Sequence, residues 1–322
     1  LGRNVISNHN ANTIIYSNGG TTSVKDNFGY FIQNDPKTLD ILGEWYLDRT
    51  SKRLMVFFGS ANPSLYSIRA STIDTLIFSS NKSYVLITNL NFEGANAGTF
   101  YISGGQNISV LSCEINFSGA YGVFATANSN FRLEQCSISN SNHKALDLRC
   151  TNASIRNNII RNSGVIHGMA KETGGYNGLE LNDNCDGTIV EFNELDSIGK
   201  HGIVLRGNNV TVKNNLINHF LLTVDDGGGI YTFGTYYSGR KIIGNIVLNG
   251  IGETSGTDNL GSFQAKGIFL DEPCANVEVK NNTVAHCSLS GLHGNNVHDI
   301  LVTDNLFYNC KYQFYILFAV ID

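Results

Sequence analysis

Asp147 and Glu180 hold the same place in two short alternating segments, Ala145-Leu-Asp-Leu and Gly178-Leu-Glu-Leu. Cleavage of a glycosidic bond needs two carboxyl groups, one as acid and one as base or nucleophile, about 5–5.5 Å or 6.5–9.5 Å apart. Neighbouring parallel strands would bring the two backbones to about 4.8 Å. Like charges at that spacing push one pKa upward, as a general acid requires. A solvated acidic pair or a calcium site would read the same way from these two residues alone.

Segments of this form recur as Thr99-Phe-Tyr-Ile, Gly122-Val-Phe-Ala, Gly202-Ile-Val-Leu, Gly229-Ile-Tyr-Thr, Gly267-Ile-Phe-Leu and Gly291-Leu-His-Gly. With their second and fourth residues turned inward, the third and fifth face out. One outward row is then Tyr101, Phe124, Asp147, Glu180, Val204, Tyr231, Phe269, His293, and its neighbour is Ser103, Thr126, Arg149, Asn182, Arg206, Phe233, Asp271, Asn295. Aromatic faces mixed with carboxylates, arginines and amides suit sugar rings, and an elongated strip suits a poly- or oligosaccharide. Three insertions, Val165–Asn177, Leu221–Gly228 and Gly252–Lys266, all enter just ahead of this strand and are expected to wall one rim of the strip. Binding groups belong on such loops over a rigid scaffold. These loops and their continuations carry His167, Lys171, Glu172, Tyr176, Asp225, Asp226, Tyr236, Tyr237 and Lys266. Asp225–Asp226 and Asp271–Glu272 are oxygen-rich and compatible with calcium, whereas no spacing calls for a transition metal or a redox cofactor.

The scaffold follows from an internal repeat. Val85-x-Ile87-x-x-Leu90-x-Phe92, Ile108-x-Val110-x-x-Cys113-x-Ile115 and Phe131-x-Leu133-x-x-Cys136-x-Ile138 share one pattern, which continues six more times to Val302-x-x-Asn305-x-Phe307. The unit is 22 or 23 residues, lengthened in three coils. Both halves alternate with period two, which suits strands rather than the helical side of a leucine-rich repeat. The expected architecture is therefore all-β, a right-handed parallel β-helix. Asn158, Asn193, Asn215, Asn245, Asn282 and Asn305 share one slot and should form a buried amide ladder. The seven cysteines repeat with the same period and read as buried packing groups rather than a disulfide framework.

Residues 1–80 lack the period; Trp45–Asp48 and Arg53–Phe58 read as a β-hairpin cap over the coils of 81–322. At the other end Ile316 and Phe318 are expected to point away from the core, and a polar closing cap is expected beyond Asp322. Low charge (15%), 34 Gly and 3 Pro fit β-structure with tight turns, and the net charge of −5 is spread without a basic stripe for nucleic acid. No apolar run reaches the 18 or so residues of a membrane span.

The stretches Asp225-Asp226-Gly-Gly-Gly-Ile-Tyr-Thr and Gly267-Ile-Phe-Leu-Asp271-Glu272, with Gly43-Glu-Trp-Tyr-Leu-Asp48, resemble secreted bacterial β-helix proteins of the pectate-lyase-like fold, among them glycoside hydrolases. The likeness covers about residues 25–310. It implies a secreted or cell-surface hydrolase whose acidic pair sits on neighbouring coils, which points to Asp226 and Asp271 beside Asp147 and Glu180. Arg206, Tyr231, Phe233, Tyr236, Lys266 and His293 are then candidate substrate-binding residues. Gly202-Ile-Val-Leu-Arg206-Gly is similar to the strand on which alginate lyases of this fold carry an arginine. Such lyases use a lysine base one coil earlier and often calcium, yet no lysine stands near Glu180–Cys185, which leaves Lys171 or Lys266 to substitute. A non-catalytic carbohydrate-binding or adhesive surface protein is the third class.

Overall fold

The computed structural model describes residues 4–17, 25–170 and 174–318. Most coils contribute three short strands rather than two, as in Tyr121–Ser129, Arg132–Glu134 and Ser137–Ser141, while Ala265–Lys280 and Ser290–Thr303 each run the first two together. The first two strand positions stack into a 17-stranded sheet, the third into a 9-stranded sheet, and successive coils pair parallel. The alternating apolar residues meet in the centre. Val110, Leu133, Ile155, Val190, Val212, Ile242 and Val279 stand one above another, all fully buried. Each such side chain gains roughly 1.5–3 kcal/mol from burial.

The asparagine slot forms the expected ladder. Asn158 donates through Nδ2 to Asn193 Oδ1, and the chain continues through Asn215, Asn245 and Asn282 to Asn305, each step 2.9 or 3.0 Å. All but the last, which is half-buried, lie in the interior. Cys136 N–H joins the top of the ladder at Asn158 Oδ1, and Cys113 N–H donates to Cys136 Sγ. The residue just ahead of the slot is left-handed in every one of these coils, for example Asn157, Asn214 and Asn281 with φ of 53–55°. That explains the Asn-Asn pairs: the first tolerates the left-handed bend, and the second bonds the neighbouring coil.

Glycine opens most copies of the strand that carries the outward row because the coils approach closely there. A Cβ on Gly202 would lie 2.5 Å from the Gly229 carbonyl and 2.5 Å from Ile217 Cγ2, and one on Gly267 only 2.1 Å from Val284 Cγ1. The core therefore admits no side chain at that point.

Two antiparallel hairpins precede the coils, Ile6–Asn10 with Thr13–Tyr16 and Trp45–Asp48 with Arg53–Val56. In the second, Asp48 Oδ1 accepts the Thr50 and Ser51 N–H groups and so closes the polar turn. The second hairpin belongs to a small compact unit within Val24–Ala70 that includes Ser255–Leu260, joined where Gly29 N–H donates to the Gly256 carbonyl at 2.9 Å. Thr75–Ser80 pairs with Gly98–Ser103, so the coil stack is under way before residue 80. One expectation is corrected. Ile316 pairs with Gly294 on the inward side and packs against the core, because the inward register of the last strand runs through Phe314 and Ile316. The Phe318 side chain lies outside the described residues. Helical turns among the described residues are the 3₁₀ segments Pro36–Thr38 and Pro63–Leu65, and no helix is long and apolar enough to cross a membrane.

Candidate functional site

The outward row is in register from coil to coil: Tyr101, Phe124, Asp147, Glu180, Val204, Tyr231, Phe269 and His293 pair in succession. Asp147 and Glu180 are neighbours as expected, but both are buried, 2% and 6% exposed, and Lys144 lies between them. Its ammonium is 3.0 Å from Asp147 Oδ2 and 2.9 Å from Glu180 Oε2. Asn182 donates to Asp147 at 2.7 Å, Asn177 donates to Glu180 at 2.7 Å, and Arg206 lies 3.6 Å from Glu180 while donating to Asn182 at 3.0 Å. Burial pushes the Asp147 carboxyl up despite Lys144. Burial also pushes Glu180 up, but Lys144, Asn177 and Arg206 outweigh it and hold that carboxyl below the usual range. The cluster is closed on itself, and neither acid is left facing solvent.

Two and three coils beyond Glu180 the carboxylates are more exposed, although Lys266, Phe269 and His201 beside them are buried. Asp226 sits on the insertion just before strand Gly227–Gly234, with its side chain 69% exposed and its carboxylate paired with Lys266. Asp271 lies on strand Ala265–Lys280 of the next coil. It accepts from the Tyr231 hydroxyl at 2.9 Å, the Glu272 N–H at 2.8 Å and Asn295 at 3.4 Å. Tyr231 stacks on His201 at 4.2 Å, whose Nδ1 accepts from Gly228 N–H, and packs edge-on against Phe269. Phe269 in turn meets the Lys266 ammonium at 4.4 Å and His293 at 5.1 Å. Burial first, and Lys266 second, lowers His293 to about 4. The fields of both Asp226 and Asp271 reach Lys200, Tyr231 and His293, so the two carboxylates flank one common set of groups.

Residues 59–217 and 165–319 match the family model described as a right handed beta helix region. The chain belongs to the right-handed β-helix family. A solved structure described as a glycoside hydrolase superposes with a TM-score of 0.62 at 14% identity, covering 87% of this chain and 57% of that one. PfbA, a surface adhesin of Streptococcus pneumoniae, gives 0.51 at 13%, covering 74% and 63%. The Azotobacter vinelandii mannuronan C-5 epimerase AlgE4 A-module gives 0.48 at 11%, covering 78% and 79%. This β-helix spans less than two thirds of the first two. No curated protein matches the sequence.

The insertions of this β-helix stack at one rim where they leave and rejoin the strands: Lys200 N–H bonds the Tyr176 carbonyl, Leu221 N–H the Lys200 carbonyl, Gly252 N–H the Leu221 carbonyl, and Gln264 N–H the Asp225 carboxylate. Of the binding candidates, Arg206 lies 4.7 Å over the Phe233 ring beside the buried cluster. The half-buried Tyr231 and His293 and the buried Lys266 belong with Asp226 and Asp271. Tyr236 stands apart, 70% exposed and packed on Tyr237, which bonds Asp183. His167 is exposed on its loop, and Lys171 and Glu172 lie outside the described residues. Asp225 and Asp226 are directed to separate partners while Asp271 and Glu272 share the Asn295 amide, and no group of three or more His, Cys, Asp or Glu among the described residues is placed to hold a metal.

Four residues of the site escaped the sequence reading: Lys144, Asn177, Lys200 and His201. The strand alternation slips by one at the small residue, since the Cβ position of Gly202 and the side chain of Ile203 both face the core. The outward row is therefore joined by residues three places earlier, not two. Lys144 with Asp147, Asn177 with Glu180, and Ser290 with His293 all meet at that spacing. Lys200 is mostly buried, its ammonium has no ion-pair partner among the described residues, and burial lowers it below the usual lysine range against the pull of Asp226, Glu180 and Asp271. A lysine directly before His201-Gly202 was the available signal.

Proposed function

We propose that this β-helix is a secreted or cell-surface glycoside hydrolase that holds a poly- or oligosaccharide along its outward strip and cleaves it between Asp226 and Asp271. The observation that carries the reading is the pair's position: two carboxylates from adjacent coils, one exposed and one half-exposed, around the aromatic group of Tyr231, Phe269 and His293. Sugar rings offer apolar C–H faces to the half-buried Tyr231 and His293, and their hydroxyl rim would meet Asn295 and the acids, while the buried Phe269 and Lys266 hold these groups in place. One carboxyl would protonate the leaving oxygen while the other activates water or attacks the anomeric carbon. Tyr231 and Asn295 orient Asp271, and Lys266 orients Asp226. The Asp147–Glu180 pair, closed around Lys144, serves as the rigid floor of the strip.

A second reading has one observation in its favour. The Lys200 amine, lowered by burial and without an ion-pair partner among the described residues, lies on the coil of Arg206 and could take a proton from a uronic acid, with Arg206 or Lys266 neutralising its carboxylate. A panel of plant and algal polysaccharides separates the readings. New reducing ends without the ultraviolet absorbance of an unsaturated uronic acid support hydrolysis, absorbance supports elimination, and neither product supports a binding module. On a substrate that is cleaved, D226N and D271N should each lower kcat by about 10²–10⁴-fold, the usual worth of a general acid–base group. Near wild-type turnover in both variants would refute the assignment.

A further inference from the structure

Thr283–Ala285 and Leu306–Tyr308 are successive strands of the 9-stranded sheet, paired in register. Each is followed after one residue by a cysteine, Cys287 and Cys310. The intervening His286 and Asn309 are both left-handed, with φ of 57° and 50°, so the two thiols leave equivalent bends one coil apart. Cys287 N–H donates to Cys310 Sγ at 3.4 Å. Neighbouring parallel strands lie about 4.8 Å apart, inside the roughly 4.4–6.8 Å Cα separation that a disulfide spans.

The fold supplies its own comparison. Cys113 and Cys136 also lie one coil apart with an N–H to Sγ distance of 3.4 Å. They are 1% and 2% exposed, and burial pushes Cys136 up to about 11. Cys150 and Cys185, also buried, are pushed to about 12. A thiol that stays protonated in the core neither attacks nor is reached. Cys310 differs, being only half-buried. Cys287 lines an open cavity of about 480 Å³ together with His286, Asn309 and Lys311. The Cys287 N–H hydrogen-bonds the Cys310 sulfur and the Cys287 thiol is directed to the Ala285 carbonyl; the proximity of Cys287 draws the Cys310 thiol down to about 7, while Cys287 is held well above its ordinary value. The lowered thiol therefore belongs to the half-buried cysteine of the pair.

We propose that Cys287 and Cys310 are a reactive dithiol site that a small disulfide, such as oxidised glutathione, converts into a cross-coil disulfide. The Cys310 thiolate attacks one sulfur of the reagent; a mixed disulfide forms, the reagent's S–S bond breaks, and the first reagent thiolate leaves to be protonated by solvent. Cys287 then gives its proton to solvent and attacks the Cys310 sulfur, and the second reagent thiolate leaves. Two protein thiols are oxidised and one reagent disulfide is reduced to two thiols.

The test is incubation of the folded chain with oxidised glutathione at mildly alkaline pH, alkylation, digestion without reduction, and peptide mass mapping. The expected product is one cross-link, Cys287 to Cys310, with Cys113, Cys136, Cys150, Cys185 and Cys274 alkylated only after unfolding. C287S should stop at a glutathione adduct on Cys310, and C310S should gain neither adduct nor cross-link. Unreacted thiols in the wild type, a cross-link between Cys113 and Cys136, or a C287S protein with no adduct on Cys310 would each overturn the proposal.

Discussion

Lys144→Met tests the role of the buried acidic cluster, because it keeps an unbranched side chain only one atom shorter and removes the ammonium with its hydrogen bonds. The ammonium, on a residue 6% exposed, lies within 3.0 Å of both Asp147 and Glu180. Its loss leaves two buried carboxylates whose nearest remaining cation is Arg206, 3.6 Å from Glu180. Removing one partner of a buried ion pair costs about 3–5 kcal/mol. Arg206 and the two asparagine donors persist, so the low end, about 3 kcal/mol, applies near neutral pH. The deficit depends on pH in a definite direction. Asp147 in the folded wild type already lies above its ordinary value through burial, and Lys144 is the group that restrains it. Without Lys144 it rises further, so the folded variant takes up a proton more readily than the unfolded chain. Its deficit is then smallest at acid pH and grows as pH rises through the folded value, by up to about 1.36 kcal/mol per unit. Glu180 has the opposite sign in the wild type: its stabilising share is present above its unfolded value and lost as pH falls through its depressed folded one. Urea unfolding of wild type and K144M near pH 7 and near pH 5 measures both effects. The uncharged K144M/D147N/E180Q protein should recover most of the loss, since an apolar or neutral replacement of a buried triad is often nearly neutral. A deficit below about 1 kcal/mol, or an equal deficit at both pH values, would refute the account of a closed charge cluster.

Asn215→Ala should destabilise by about 3 kcal/mol or more, because Asn215 donates to Val190 O, Lys213 O and Asn245 Oδ1 and accepts from Asn193 N and Nδ2, leaving buried partners unpaired. Asn305→Ala, at the half-buried end of the ladder, should cost clearly less, and similar losses in the two melts would contradict a ladder whose value depends on burial. His293 has a folded value of about 4, below the usual 6.5 or so, so it stabilises the fold above its unfolded value and that share is lost as pH falls from about 6.5 towards 4. H293N should flatten the melting temperature across that window, and an unchanged slope would show that His293 is not held as a half-buried neutral imidazole.

The legible part of this protein is what a translation-like repeat writes many times over. Apolar alternation named the inward positions, and Asn158 through Asn305 marked the turn because an amide in one slot of successive coils has a single use. The register of Asp147 beside Glu180, and of Tyr231 beside Phe269 and His293, followed from the same period. The missed third strand of each coil is only three to five residues long, as in Thr211–Lys213 and Leu216–Phe220, and it shares its alternation with its neighbour across one bend. Function was less legible because it rests on what breaks the repeat. Lys144, Asn177 and His201 stand at the slip in alternation beside the strand's small first residue, where a period-two reading puts them on the wrong face. Lys144 changes how the pair reads: the sequence offers Asp147 and Glu180 as neighbouring acids, and the structure binds both to one ammonium. Asp226 and Asp271 could not be paired by period, since one stands on an insertion ahead of its strand and the other at the fifth place of the next. What joins them is a shared neighbour, Tyr231, whose hydroxyl is committed to Asp271 and whose surroundings feel Asp226. A solenoid thus announces its frame through repetition and hides its site in the departures from it, and those departures are the residues to mutate first.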